Sequence, residues 1–482
     1  MRNKFVQMSL NDIYNDVTST IEQQESSFLS MTDEYIDFSA LIPSAFYMAF
    51  YKNTGRKHDN SLESYIRALF LQKFVGFDKV TQLLILLHMS PSAYQFCGFY
   101  RMPNEPEISR FKSHYVEYIK ALFESLVDIT EPIAREIDAK KADYLLFDTT
   151  GFEIKIAENN PKFFISKLNA AKAIAKKNPK CDPYKFVYSL FPDTSQYCSD
   201  AKLQYINGHF CYAVKAAFIT NGLGIIRHIS IFDNDFKSEH PDIVESKTDK
   251  PDADKEIGDS TALEPVLDDF FKVHPQLSYK TFIGDASFDK YDHYSMLKNE
   301  FGFDRVCVPL NPRNSKPDNN TDTKPAEVPF DKNGIPLCPI DKTPFISLGK
   351  SKGRHRSTRF KFVCPKSERH GRARICTCDT PCTSSSYGRC VYTYPDKDFR
   401  QYPGIIRGTG HWNNLYKHRV NIERTINLVK DTFGTACHRS CSVKTLKADI
   451  YMAGIVHLLG VIIASEIKRP ELFKSVRKLI AS

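Results

Sequence analysis

Five short apolar runs fix what the middle of this 482-residue chain can become. "YLLFDTTGFEI" (144–154), "CYAVKAAFIT" (211–220) and "IIRHISIF" (225–232) are rich in β-branched and aromatic residues, and "NGLG" between the last two is a hairpin signal. An amphipathic helix, "LEPVLDDFFKVH", follows, then the strand "KTFIGDA", the helix "KYDHYSMLKNEF" and the strand "RVCVPL". The order is β-β-β-α-β-α-β. Three antiparallel strands followed by β-α-β units predict a mixed sheet in which the first and fourth strands lie side by side. Each of those two runs leads straight to an acid, Asp148 in the first and Asp285 in the fourth.

The flanks read differently. Before the sheet, "SLESYIRALFLQKFVG", "DKVTQLLILLH" and "ISRFKSHYVEYIKALFESLVDI" carry helical apolar spacing, with Gly76 as a stop and Asp78 as an N-cap. Short helices of this kind suit either a helix-turn-helix-like DNA binder or a plain bundle. A Lys-rich stretch at 160–200 reads as a helical insertion. The expected fold class is α/β, a ribonuclease-H-like mixed sheet with helices, preceded by a helical N-terminal domain and interrupted by a cysteine-rich insert. The boundaries are 1–140 for the helical region, 141–310 for the first part of the core, 311–405 for the insert and 406–482 for core completion and C-terminal helices. The opening residues lack an apolar h-region. The longest apolar run, Ile450 to Ala464, is broken by His457 and shorter than the ~20 residues of a span, so neither a secretion signal nor a membrane segment is expected.

The net charge of +9 is unevenly spread. From Lys350 to Cys376 there are ten Lys and Arg against one acid, Glu368, whereas Asp233 to Asp259 holds ten acids against four lysines. A concentrated basic segment favours a polyanion, and nucleic acid is the usual one. Of thirteen cysteines, seven (Cys97, Cys181, Cys198, Cys211, Cys307, Cys437, Cys441) are scattered and read as small buried hydrophobes. Cys338, Cys364, Cys376, Cys378, Cys382 and Cys390 crowd into the insert. Without a signal peptide, such density favours structural Zn²⁺ held by four thiolates, with His355 or His370 as substitutes. The zinc-organised core would present Lys350, Lys352, Arg354, Arg356, Arg359 and Lys361 on one exposed loop or hairpin for phosphate contacts.

After the insert, "NLYKHRVNIERTINLVK" (414–430) carries Tyr416, Arg419, Glu423 and Lys430 within roughly 60° of one another on an α-helix of ~100° per residue. Alone, that stripe is an ordinary solvated face with an i, i+4 ion pair. Packed on the sheet, the helix would bring Glu423 to Asp148 and Asp285. Three carboxylates at one point repel, and a pair of Mg²⁺ ions, or Mn²⁺ in their place, would hold them together and serve phosphodiester chemistry. Arg419 and Lys430 would then contact phosphates, and Tyr416 would stack or hydrogen-bond along the strand. Trp412 is read as packing.

These residues resemble a family. The Asp148, Asp285, Glu423 set, with Tyr-x2-Arg-x3-Glu-x6-Lys at 416, 419, 423 and 430, is similar to the DDE-type insertion-sequence transposases that carry a Tyr-Arg-Glu-Lys motif. "FDTTGFE" and "FIGDASFDKYDHY" resemble that family's first-Asp and second-Asp segments, and "NPRN", with Arg313, its Asn/Arg turn. The resemblance implies metal-dependent cleavage and strand transfer at the ends of a mobile element. It also implies double-stranded DNA, ends and target, as partner, a homodimer on DNA, and a prokaryotic cytoplasmic, nucleoid-associated setting. The insert departs from the family's β-rich one. The rival expectations are a ribonuclease-H-like nuclease that cuts without joining, and a non-catalytic DNA-binding protein derived from a transposase.

Overall fold

The computed structural model describes residue 9 and residues 27–52, 57–178, 182–206, 209–247, 256–311, 328–331, 335–353, 356–371, 373–394, 399–400, 402–436 and 440–481. The chain begins as helices: α1 (Ser27–Tyr35), α2 (Phe38–Leu41), α3 (Ser44–Phe50), α4 (Leu62–Val75), α5 (Val80–Met89), α6 (Pro91–Cys97), α7 (Glu105–His114) and α8 (Val116–Ala142). Ser61 caps α4 by accepting from the Ser64 N–H, and Gly76 ends it in the left-handed region (φ 87°), where a side chain would be strained. The next helix starts later than Asp78. Lys79 takes the cap position, its N–H bonded to the Gln82 side chain, which reaches back from the first turn.

The sheet follows as β1 (Tyr144–Glu153), α9 (Pro161–Ala175), α10 (Pro183–Leu190), β2 (Lys202–Ile206), β3 (His209–Asn221), β4 (Ile226–Ile231), α11 (Asn234–Glu239), α12 (Leu263–Val273), β5 (Thr281–Ile283), α13 (Tyr291–Asn299) and β6 (Arg305–Cys307). β3 runs antiparallel to β1, β5 parallel to β1, and β6 parallel to β5. β2 and β4 share the far edge of β3, β2 along residues 209–213 and β4 along 216–220. The "NGLG" hairpin therefore forms, and the first and fourth runs are neighbours. β2 went unread because its five residues follow directly on the Lys-rich helical insertion. The arrangement is α/β: a helical N-terminal stretch followed by a mixed sheet.

Residues 335–394 hold a separate β module: β7 (Ile346–Gly353), β8 (Arg356–Val363) and β11 (Cys390–Thr393) in the order β11-β8-β7, and a hairpin of β9 (Ser367–His370) and β10 (Ala373–Cys376). Its core is small, built from Cys338, Phe345, Phe360, Phe362 and Cys364, and is distinct from the main core. The basic run expected as a loop or hairpin forms the β7–β8 hairpin.

The return segment is α14 (Gly410–Tyr416), a 3₁₀ turn Lys417–Arg419, α15 (Val420–Asn427), a π turn Leu428–Thr432 and α16 (Val443–Glu466). α16 is long and apolar enough to cross a membrane by composition, but 89% of that window is buried inside the fold. It runs through the main core against α4, α7 and α8. At its start the Asp449 carboxylate takes Lys73 of α4 at 3.0 Å and Lys112 of α7 at 2.7 Å, all three sealed from water. Burial lowers the Lys73 pKa to about 8, with Asp449 opposing and Lys112 adding to the shift.

Candidate functional site

Asp148 is the fifth residue of β1. β5 pairs with β1 only over residues 144–146, so the acid stands just past the end of its neighbour strand instead of at the end of its own. The strand continues extended past the acid, as its residues suggested, because β3 keeps pairing with it as far as Glu153. Asp285 follows β5 through Gly284, where an added Cβ would come within 2.8 Å of Phe288 and 2.9 Å of Phe282, so a side chain there would displace one of the two rings. The Asp285 carboxylate accepts from the Ser287 N–H at 2.8 Å and from the Ser287 hydroxyl, which fixes its orientation.

Glu423 lies in the first turn of α15 and Arg419 in the 3₁₀ turn before it. Arg419 Nη1 donates to Glu423 Oε1 at 2.5 Å, and Nη2 stands 3.8 Å from Asp148 Oδ2. Asp285 adds its attraction on the same guanidinium. One cation therefore stands among three carboxylates drawn from three distant parts of the chain. Burial pushes the Asp148 carboxyl up to about 6; the Thr149 N–H and Arg419 pull it back, while Asp285 and Asp259 push it further up. Burial works against the charge of Arg419 as well, and Glu423, Asp148 and Asp285 together outweigh it, raising its pKa.

The stripe is not one regular α-helix. A π turn at 428–432 turns Lys430 onto β1, where Nζ donates to Thr150 Oγ1 and to the Gly151 carbonyl, both at 2.9 Å. Burial lowers its pKa. Tyr416 stacks on Trp412 with ring centroids 4.8 Å apart, and Trp412 is buried, so the tryptophan packs as expected. Burial raises the Tyr416 pKa. Sequence reasoning missed Asp259: its carboxylate accepts from the Thr149 hydroxyl at 2.5 Å, pairs with Lys215 and bears on Asp148. The acid-rich run ending at Asp259 was its only signal. Also missed was the buried Asp289, bound by Arg400, by the Tyr294 hydroxyl and by the Asn311 N–H, which ties the second-Asp segment to the chain leaving the β module.

Of the basic residues, Lys350 is exposed on β7. Arg359 lies over the Tyr392 ring at 3.9 Å, and Lys361 lies over Tyr387 at 4.6 Å and donates to its hydroxyl. Lys352 and Arg356 belong to β7 and β8, and Arg313 and Arg354 lie outside the described residues. The six insert cysteines divide. Cys364 has Cys338, Cys376 and Cys382 as electrostatic neighbours, and Cys378 is hydrogen-bonded to Cys376, whereas Cys390 sits beside Lys361. Burial chiefly raises the Cys364 and Cys378 thiols, the latter to about 11. Cys338, Cys364, Cys376, Cys378 and Cys382 are thus neighbours, and Cys390 stands apart beside Lys361. Cys97, Cys198, Cys211 and Cys307 are buried as expected and Cys441 is exposed; Cys181 and Cys437 lie outside the described residues.

Among the described residues, no three His, Cys, Asp or Glu side chains are disposed to hold a metal ion. At the acids the reason is visible: the Arg419 guanidinium stands where a cation would be. The donor set itself, carboxylate oxygens only, suits a hard divalent ion.

The family described as "Transposase domain (DUF772)" matches residues 18–114, the helical region through α7. The chain has a partial transposase relationship. The match ends before β1 and does not reach the acids. No curated protein matches. Among solved structures, a piggyBac transposase synaptic complex with hairpin DNA aligns over 94% of this chain and 84% of that one at 10% identity, with a TM-score of 0.25, too low to equate the folds.

Proposed function

We propose that this chain is a DDE transposase with a ribonuclease-H-like core, which cleaves and joins DNA at Asp148, Asp285 and Glu423. The observation that carries the reading is the single guanidinium among three carboxylates contributed from positions 148, 285 and 423. A fold has no structural use for so much negative charge at one half-open point unless a stronger cation replaces the arginine. Bound there, Mg²⁺ or Mn²⁺ would supply Lewis-acid stabilisation of the attacking and leaving oxygens of a phosphodiester. Released from Glu423, Arg419 becomes a bidentate donor for a DNA phosphate beside the acids, and the basic β7–β8 hairpin extends the same charge. Lys430, held by Thr150 and Gly151, positions β1 under Asp148. The partner is double-stranded DNA, with two copies of the chain on paired ends.

The five neighbouring cysteines of the β module would take structural zinc once their side chains turn inward. A core of five residues is too small to hold a module of that size alone. Purified protein without zinc removes this part of the reading.

The main test compares wild type with Glu423→Gln on element-end DNA in Mg²⁺. The variant loses cleavage and keeps DNA binding; normal cutting by the variant overturns the site. Supplying pre-cut 3′-hydroxyl ends separates a transposase, which joins them to target DNA, from a nuclease, which does not.

A further inference from the structure

A cleft of about 770 Å³ opens far from the acids, between the N-terminal helices and the start of α16. Its floor is aromatic: Phe50, Tyr65, Phe111 and Tyr115 are buried there, with Tyr65 and Phe111 stacked at 4.7 Å. His58 stacks on Phe50 at 4.0 Å and 19°, and is itself exposed, so the outer face of its ring is open. The rim is charged. The two acids that line it, Asp59 and Glu107, are both engaged by Arg101, at 2.9 and 2.6 Å. Lys57, Arg110 and Lys444 are all exposed and form no ion pair within 4 Å among the described residues, although Arg110 lies near enough to Glu107 to help lower its pKa. Lys444 comes from the far end of the chain. It reaches the rim because α16 docks on α7, while the rest of the lining comes from residues 50–115.

The three rim cations, the size of the cleft and the open imidazole face describe one ligand chemistry. Arg and Lys take phosphate oxygens, a flat base extends an aromatic stack, and 770 Å³ lies within the ordinary range for a bound small molecule. We infer that this cleft binds a nucleotide of a single DNA strand, its base on His58 and its phosphates on Lys57, Arg110 and Lys444. The inference rests on the DNA-processing reading above and adds to it a second contact, remote from the acids.

The experiment uses the full chain and a fluorescent single-stranded 12-mer, with ATP as a separate ligand. Wild type, the triple variant Lys57→Ala/Arg110→Ala/Lys444→Ala, His58→Ala and Glu423→Gln are titrated at several salt concentrations, and melting curves confirm that each is folded. Each single-strand phosphate contact contributes roughly 0.7 to the slope of log K against log salt, so the triple variant should bind at least tenfold more weakly with a slope smaller by about 2. His58→Ala should weaken binding several-fold without changing the slope. Because Glu423→Gln frees Arg419 for phosphate, its affinity is compared only with that of Glu423→Gln combined with the triple change: a tenfold difference within that pair reads the cleft whatever happens to cleavage, so failure of the acid site and failure of the cleft are read separately. An unchanged affinity and slope in the triple variant overturns the proposal. Equal displacement of the 12-mer by ATP overturns the assignment to a DNA strand and makes the cleft a site for free nucleotides.

Discussion

Two charge clusters in this protein are near mirror images. At the start of α16, two ammonium groups, Lys73 and Lys112, share one carboxylate, Asp449, with no exposure to water. Just past the end of β5 on the central strand β1, carboxylates of Asp148 and Glu423, with Asp285 close by, share one guanidinium, Arg419, and Glu423 is 43% exposed. The first cluster joins α4, α7 and α16 and has no room for another ion. The second is open on one side and carries more negative charge than its arginine neutralises. Sealing makes the one a structural joint. Openness and surplus charge make the other a site.

The same substitution at the two clusters should therefore act with opposite signs. Asp449→Asn leaves two buried ammonium groups without an anion and should destabilise the fold by about 3–5 kcal/mol, measured by urea unfolding. Asp148→Asn removes a carboxylate whose folded pKa of about 6 lies above its ordinary 3.8. At roughly 1.4 kcal/mol per unit, with the Arg419 attraction already contained in that value, it should stabilise the fold by about 1–3 kcal/mol at neutral pH while abolishing activity. Loss of stability in both variants would erase the distinction between joint and site.

The pH dependence sharpens the comparison at smaller scale. Because the Asp148 pKa is raised in the folded state, its ionisation costs nothing below about 3.8; the cost grows between 3.8 and 6 and is complete above 6. A carboxyl-specific NMR titration of the metal-free protein should find its midpoint near 6, and divalent-ion affinity should fall as pH drops through that value. Arg419→Gln should move the midpoint higher by less than about one unit, since the guanidinium is what pulls it down. A midpoint near 4 in wild type would mean the acid is not desolvated. The Lys73 shift runs in the other window: its buried charge is a constant cost below about pH 8 that is relieved between 8 and 10.5, so the joint should tighten as pH rises there.

Much of this was legible in the chain. The β-branched runs and the "NGLG" turn specified five of the six sheet strands, because a half-buried strand and a tight turn are local demands on residue type. The spacing of Arg419 and Glu423 specified their ion pair, because i, i+4 neighbours meet in nearly any helical geometry. The π turn that sends Lys430 to Thr150 was not legible, since it depends on where β1 lies beneath it. Nor was Asp259, which meets Thr149 from 110 residues away inside a run whose composition said only that it was acidic.

By itself the sequence determined the helical and extended segments, the acids that end up around Arg419, and the concentration of positive charge between Lys350 and Cys376. Only the tertiary structure decided which charges are sealed and which stay open. Asp449 and Asp148 are the same side chain, each next to an apolar run. Whether helices close over it or the end of a neighbouring strand leaves it partly open depends on packing between segments hundreds of residues apart. Desolvation, which fixes both the pKa and the role, is a property of that packing alone.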